Sequence, residues 1–125
     1  MSEIGWFAVW PLLSEETGMK LRPYDLGIWF SEIDVNVLSA QEADELAQFD
    51  VSTDAGLEKM VREWVAPRFA TNDDLNQRQM REVLFMSHQW SDVEIESVFG
   101  EFACPAEGKL EADRLMSVLR KVFLA

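Results

Sequence analysis

The stretch from Ser91 to Phe123, SDVEIESVFGEFACPAEGKLEADRLMSVLRKVF, places two amphipathic segments on either side of a polar loop. It begins with a capping-box pattern, in which the oxygen of Ser91 caps a backbone amide and Glu94 reaches back. Apolar residues then recur at helical spacing, so each segment buries one face. These residues are Ile95, Val98, Phe99 and Phe102 in the first segment, and Leu115, Val118, Leu119, Val122 and Phe123 in the second. The stretch therefore predicts two helices joined by a loop over residues 103–114.

Similar patterns precede this stretch and predict that most of the chain forms short helices. One apolar stripe follows Leu75 and comprises Met80, Val83, Leu84 and Met86. Another ends near Pro67 and comprises Leu57, Met60, Val61, Trp64 and Val65. A second capping box over residues 39–42 predicts a helix to about Phe49. Residues 33–37 alternate like a short strand, and residues 4–10 could form a strand or a helix stopped by a proline.

Composition and charge limit the classes of function. The 125 residues are 48 % hydrophobic and 27 % charged, which is typical of one globular domain or two small lobes. A net charge of −12 argues against binding to nucleic acid or to an anionic membrane, and favours a basic partner. Residues 1–53 carry ten acids and two bases, so an acidic face is expected mostly there. A solvated surface that only aids solubility is the alternative.

The chain shows no sign of a disulfide framework, a targeting segment or a catalytic motif. A single cysteine, Cys104, excludes an internal disulfide and a Cys-rich zinc site. Without a signal-peptide pattern or a long apolar run, the expected compartment is the cytoplasm. His88 is expected to be a surface or capping residue, and neither a phosphate-binding loop nor a dinucleotide fingerprint occurs. We therefore expect a protein that is not an enzyme and needs no cofactor.

The helix over 94–102, the loop over 103–114 and the helix over 115–122 resemble an EF-hand of the calmodulin and myosin light chain family. In this register Gly108 takes the sixth loop position, where the loop turns sharply. Leu110 takes the eighth, where a small β-bridge joins paired loops. The partner loop would be about 68–79, and the helix over 57–65 would serve both the second hand and the entry to the third.

Most calcium ligands of the family are absent from this register, in which only Glu107 and Glu111 could ligate. A functional loop needs oxygen ligands at positions 1, 3, 5 and 9 and a bidentate carboxylate at position 12. Positions 1, 3 and 12 are Ala103, Pro105 and Arg114. In the partner loop, Arg68 and Ala70 stand where acids belong. In the first half, Asp50, Ser52 and Asp54 resemble the start of a loop, but Val61 takes its last position. We expect no metal site.

The resemblance implies a mostly α fold of paired EF-hand-like helix–loop–helix units. It implies two small lobes, residues 1–66 and 67–125, with at most short β-bridges between loops. An unrelated helical bundle with a short N-terminal hairpin is the alternative.

The resemblance also implies a calcium-independent light chain that clasps a basic amphipathic helix. Its partner would be an IQ-type helix of a larger protein such as a myosin heavy chain, in the cytoplasm and associated with the cytoskeleton. The residues expected to line the binding groove or the adjoining core are Leu75, Met80, Leu84, Val98, Phe99, Leu115, Val118, Leu119 and Phe123. The alternative function is an acidic inhibitor or immunity protein that blocks a basic toxin or a nucleic-acid-binding surface by charge mimicry.

Overall fold

A computed structural model describes residues 21–124, and helices account for 68 % of them. Within this range the structure contains no β-strand, so the prediction of a mostly α fold is confirmed. Six helical runs follow one another, which we number α1 to α6. Their limits are 23–33, 40–46, 54–70, 74–89, 92–99 and 112–123. The predicted element at residues 4–10 lies outside the described residues.

Three of these runs change their helical type along their length. Helix α1 consists of the 3-10 turn Pro23–Leu26, the α-turn Gly27–Phe30 and the 3-10 turn Ser31–Ile33. Helix α3 consists of Asp54–Met60, a π-helical turn Val61–Val65, and Ala66–Ala70. Helix α4 continues from Asp74–Met86 into a 3-10 turn Ser87–Gln89. The remaining helices are regular: α2 is Ala40–Leu46, α5 is Asp92–Phe99 and α6 is Ala112–Phe123.

Both predicted capping boxes form. The side chain of Ser39 accepts a hydrogen bond from the amide of Glu42, whose carboxylate accepts one from the amide of Ser39. Ser91 and Glu94 make the same reciprocal pair at the start of α5. Two amides that a helix start leaves without partners are thereby satisfied in each case. Helix α2 ends at Leu46, earlier than predicted.

The apolar stripe predicted to end near Pro67 lies on α3, which continues three residues further, to Ala70. A proline inside a regular α-helix lacks the N–H donor and clashes with the carbonyl four residues earlier. Here the preceding turn is π-helical, and the amide of Ala66 donates to the carbonyl of Val61 five residues back. The wider turn lets the helix continue through Pro67 to Ala70.

The predicted strand at residues 33–37 is also wrong. Ile33 ends the last turn of α1, and residues 35–37 form a turn. The side chain of Asp34 organises this turn, because its Oδ1 accepts hydrogen bonds from the amide and the side chain of Asn36. Such local bonding by an aspartate competes with extended structure.

Helix α1 lies at the centre of the core and brings two aromatic side chains to opposite neighbours. The ring of Trp29 stacks on Phe69 of α3 with centroids 5.5 Å apart, and lies 4.8 Å from the ring of Phe123 of α6. Its indole Nε1 donates to the carbonyl of Met80 at 2.8 Å, so the buried donor is satisfied. The ring of Phe30 meets Phe99 of α5 edge-on at 5.1 Å. All four of these partners lie in residues 67–125, so α1 of the first predicted lobe packs against the second.

The residues on both sides of the predicted domain boundary contribute to one hydrophobic core. Positions 66 and 67 lie inside α3 rather than in a linker. The core cluster draws buried residues from Leu26 to Phe123.

Residues 100–111, which join α5 to α6, cross to the segment before α3. One parallel β-bridge pairs Asp50 with Glu107. The amide of Val51 donates to the carbonyl of Glu107, and the amide of Glu107 donates to the carbonyl of Phe49, both at 2.9 Å. A short bridge between loops was predicted, but with Leu110 and residues 68–79. That pairing is wrong, because residues 68–70 belong to α3 and residues 74–79 to α4.

Candidate functional site

The nine predicted groove residues do not line an open groove in this structure. Leu75 is exposed, while Phe99 and Val118 are half-buried. The other six are buried, each at most 9 % exposed: Met80, Leu84, Val98, Leu115, Leu119 and Phe123. Most of the predicted set therefore belongs to the core, where the apolar faces of α4, α5 and α6 meet α1.

The side chains at the predicted loop positions are engaged with other groups. The guanidinium of Arg114 lies 3.2 Å from Asp54 Oδ1. Oδ1 of Asp50 accepts hydrogen bonds from the hydroxyl and the amide of Ser52, and these bonds lower the pKa of the Asp50 carboxyl. Across residues 21–124, no three His, Cys, Asp or Glu side chains come together in a group that could hold a metal ion.

Charge is strongly segregated along the described chain. Residues 23–58 contain nine Asp and Glu, and residues 82–108 contain six, with no Lys or Arg in either segment. The remaining described segments, 21–22, 59–81 and 109–124, contain ten Lys and Arg against five Asp and Glu. We call residues 23–58 and 82–108 together the acidic region.

The fold brings the two segments of the acidic region together. The amide of Val35 donates to the carbonyl of Ala103 at 2.7 Å, and the amide of Ala103 donates to Asp34 Oδ1 at 3.2 Å. The bridge between Asp50 and Glu107 joins them a second time. Packing of α1 on α5 joins them a third time. Two stretches that are separate in sequence and contain no Lys or Arg therefore pack against each other.

Ion pairs connect the acidic region to the rest of the molecule. Every ion pair that the structure gives for residues 21–124 joins an acid of the acidic region to a base outside it. The bases are Arg62, Arg68, Arg114 and Lys121. These contacts pair four acids of the acidic region, Glu32, Glu42, Asp54 and Glu58.

The best-developed of these contacts centres on Arg68 of α3. Its guanidinium reaches Glu32 of α1 at 2.7 Å and Glu42 of α2 at 2.8 Å, and it lies over the ring of Trp64. The amide of Ser39, followed by the guanidinium of Arg68, holds the pKa of Glu42 down at about 2. Both groups favour the carboxylate form because they donate hydrogen bonds to it.

A second set of acids in the acidic region is exposed and makes no ion pair with any residue between 21 and 124. It comprises Asp44, Glu45, Asp50, Asp92, Glu94, Glu96, Glu101 and Glu107. Unpaired carboxylates on one surface sum to a negative potential that attracts and orients a positively charged partner. This surface is the candidate functional site.

The single cysteine and the single histidine of the chain lie in different surroundings. Cys104 is half-buried in the loop between α5 and α6, and burial raises the pKa of its thiol. His88 is exposed at the end of α4 with its ring against Phe85. Partial desolvation and the charge of Arg120 lower the pKa of His88. Arg120 itself donates to the hydroxyl of Ser87.

The sequence prediction did not include residues 82–108 in the acidic face. Counting charge along the chain placed that face mostly in residues 1–53, whereas five of the eight exposed acids without ion pairs in the acidic region, within residues 21–124, lie between Asp92 and Glu107. The available signal was the absence of Lys and Arg from residues 82–108. This absence indicates a shared acidic region only once residues 82–108 are known to contact residues 34–51. No local sequence pattern predicts that contact.

No family model matches the chain, and no curated protein or solved structure is significantly similar to it. Among residues 21–124, no helix is both long enough and apolar enough to span a membrane.

Proposed function

We propose that this protein is a non-enzymatic binding protein whose acidic region occupies a basic surface of a partner protein. In this charge-mimicry function, the partner is either a basic toxin or a protein whose basic surface otherwise binds nucleic acid. The observation that carries the proposal is the set of exposed acids without ion pairs in a region devoid of Lys and Arg. A cytoplasmic setting and the absence of nucleic-acid and membrane binding are parts of the same proposal.

The charge of such a surface affects both the rate and the specificity of binding. Complementary potentials speed association and reject acidic competitors, because like charges brought face to face are unfavourable. Each exposed pair contributes little alone, so the effect depends on several carboxylates acting on one partner surface. Their presence on two adjoining segments supports this reading.

The light-chain function remains the second proposal. It is supported by the helix–loop–helix arrangement of α5 and α6 and by the half-buried side chains of Phe99 and Val118. It requires α5 and α6 to move apart, because the other predicted groove residues on these helices are buried in the core. Because the light-chain function needs this movement of α5 and α6, we rank it second.

Chemical cross-linking in the native source, followed by mass spectrometry, identifies the partner. Hydrogen exchange of the purified complex then maps the contact. We expect protection at residues 40–54 and 92–107 and none at residues 74–79, which lie outside the acidic region. Protection restricted to α6, with increased exchange in α5, would contradict charge mimicry and favour the light-chain function.

A further inference from the structure

Five of the six large hydrophobic side chains that are exposed between residues 21 and 124 lie in the acidic region. Tyr24 is 64 % exposed, Ile28 41 %, Val35 42 %, Val37 62 % and Val93 76 %. All five belong to the acidic region. Surfaces that bind proteins combine apolar anchors with a charged rim, whereas a surface that only aids solubility needs no anchors.

Three of the apolar side chains in this region meet in one groove. Tyr24 and Ile28 are four residues apart on α1 and line the same groove. Phe102, which follows α5, closes the groove, and Asp25 lies at its edge; the cavity has a volume of about 330 Å³. A Cβ atom added to Gly27 would lie 3.3 Å from the ring of Phe102, so α1 and this ring approach closely. We call this feature the α1 groove.

We propose that the α1 groove is the anchoring point of the acidic region and accepts an apolar side chain, flanked by Lys or Arg, from a basic partner protein. This inference rests on the proposed function and specifies where affinity beyond charge attraction arises. Charge complementarity identifies the occupant: Asp25 lies at the groove and Glu101 adjoins Phe102 in the chain. A second copy of this chain would bring two acidic regions together, which is unfavourable.

Two synthetic 13-residue peptides test the inference. Both contain six arginines interspersed with serines, and one carries Leu and Trp at its centre where the other carries two further serines. We expect the Leu/Trp peptide to bind the full-length protein at least about five-fold more tightly. In the double variant Tyr24→Ser, Ile28→Ser this difference should disappear. Leu75→Ser is the matched control, because Leu75 is 52 % exposed but lies outside the acidic region; there the difference should persist.

Nuclear magnetic resonance of the wild-type protein provides a readout that does not depend on how a variant folds. The Leu/Trp peptide should shift the signals of Tyr24, Ile28 and Phe102 more than the serine peptide does. Equal affinity for both peptides would overturn the α1 groove while leaving the proposed function intact. Failure of both peptides to bind at low salt would overturn both proposals.

Two other occupants of the groove would also overturn the inference. Sedimentation showing a wild-type dimer that the double variant loses would assign the groove to a second copy. Nuclear Overhauser contacts between residues 1–20 and Ile28 that the Leu/Trp peptide does not displace would assign it to the chain's own N-terminal segment.

Discussion

Leu119 illustrates how far a single residue could be predicted from its spacing. It lies on the apolar stripe of α6 and is 2 % exposed, as expected for the core. Its neighbour Val118 lies on the same stripe but is half-buried. Periodicity identifies the face of a helix, whereas the degree of burial depends on what packs against that face. The same limit explains why the sequence could not separate groove residues from residues of the adjoining core.

Replacing Leu119 by aspartate should lower the free energy of unfolding by about 4 kcal/mol or more, because a buried carboxylate would lose its hydration without a partner. Urea denaturation measures the loss. The control Ser117→Asp places the same charge on an exposed position of α6, and should change stability by no more than about 0.5 kcal/mol. A Leu119→Asp variant as stable as the wild type would show that this face of α6 is not buried.

Gly56 gives a second test, in which the normal effect of a substitution should be reversed. It lies within α3, where alanine ordinarily stabilises a helix by about 1 kcal/mol relative to glycine. Here an added Cβ atom would lie 1.8 Å from the carbonyl oxygen of Asp50, which is backbone and must therefore shift. We expect Gly56→Ala to destabilise the protein by about 2 kcal/mol or more in thermal unfolding. A stabilised variant would contradict the observed course of residues 50–56.

At the scale of elements, the limits of prediction follow from which signals are local. The capping boxes before α2 and α5 formed because all their atoms lie within four residues. The end of α3 could not be predicted, because a proline normally stops a helix and the π-helical turn that accommodates it has no clear sequence signal. The loop between α5 and α6 was located correctly, but its bridging partner is distant in the chain.

The docking of α2 should weaken in acid. Hydrogen bonds from Ser39 and Arg68 lower the pKa of Glu42 from its ordinary 4.5 to about 2 in the folded protein. A carboxyl with a depressed pKa contributes its stability fully above the unfolded value and loses it as pH falls through the folded value. Stability should therefore decline between about pH 4.5 and pH 2, partly because of this group.

The variant Glu42→Gln isolates this contribution. It should reduce the decline in melting temperature between pH 5 and pH 2.5. Asp44→Asn, an exposed position on the same helix, should leave the decline unchanged. If Glu42→Gln and wild type lose stability in parallel across this range, the hydrogen bonds that Glu42 accepts from Ser39 and Arg68 do not stabilise the folded state.

At the scale of the whole molecule, the sequence predicted a mostly α protein with a net negative charge but could not predict how the charge is arranged. The acidic region forms because residues 34–35 meet residue 103 and residue 50 meets residue 107. These contacts span more than fifty positions, and the patterns used for prediction extend over one helix at most. The family resemblance concerned individual helix–loop–helix units, so it did not reveal the single acidic surface either.

The measurement that tests the central claim most directly is the affinity for the partner protein as a function of salt, for two matched variants. One variant replaces three exposed acids of the acidic region, Glu96, Glu101 and Glu107, by glutamine. The other neutralises three exposed acids outside it, with the changes Glu63→Gln, Asp74→Asn and Glu111→Gln. Both variants change the net charge by the same amount, so only the location of the charge differs.

For the wild type we expect binding to weaken steeply with salt, because mobile ions screen exposed charges beyond about 10 Å at 0.1 M. The variant within the acidic region should bind about ten-fold more weakly at low salt, since each lost contact contributes on the order of 0.5 kcal/mol. It should also be less sensitive to salt, whereas the other variant should behave like the wild type. Equal affinity of the two variants, with little dependence on salt, would contradict the assignment of the acidic region as the binding surface.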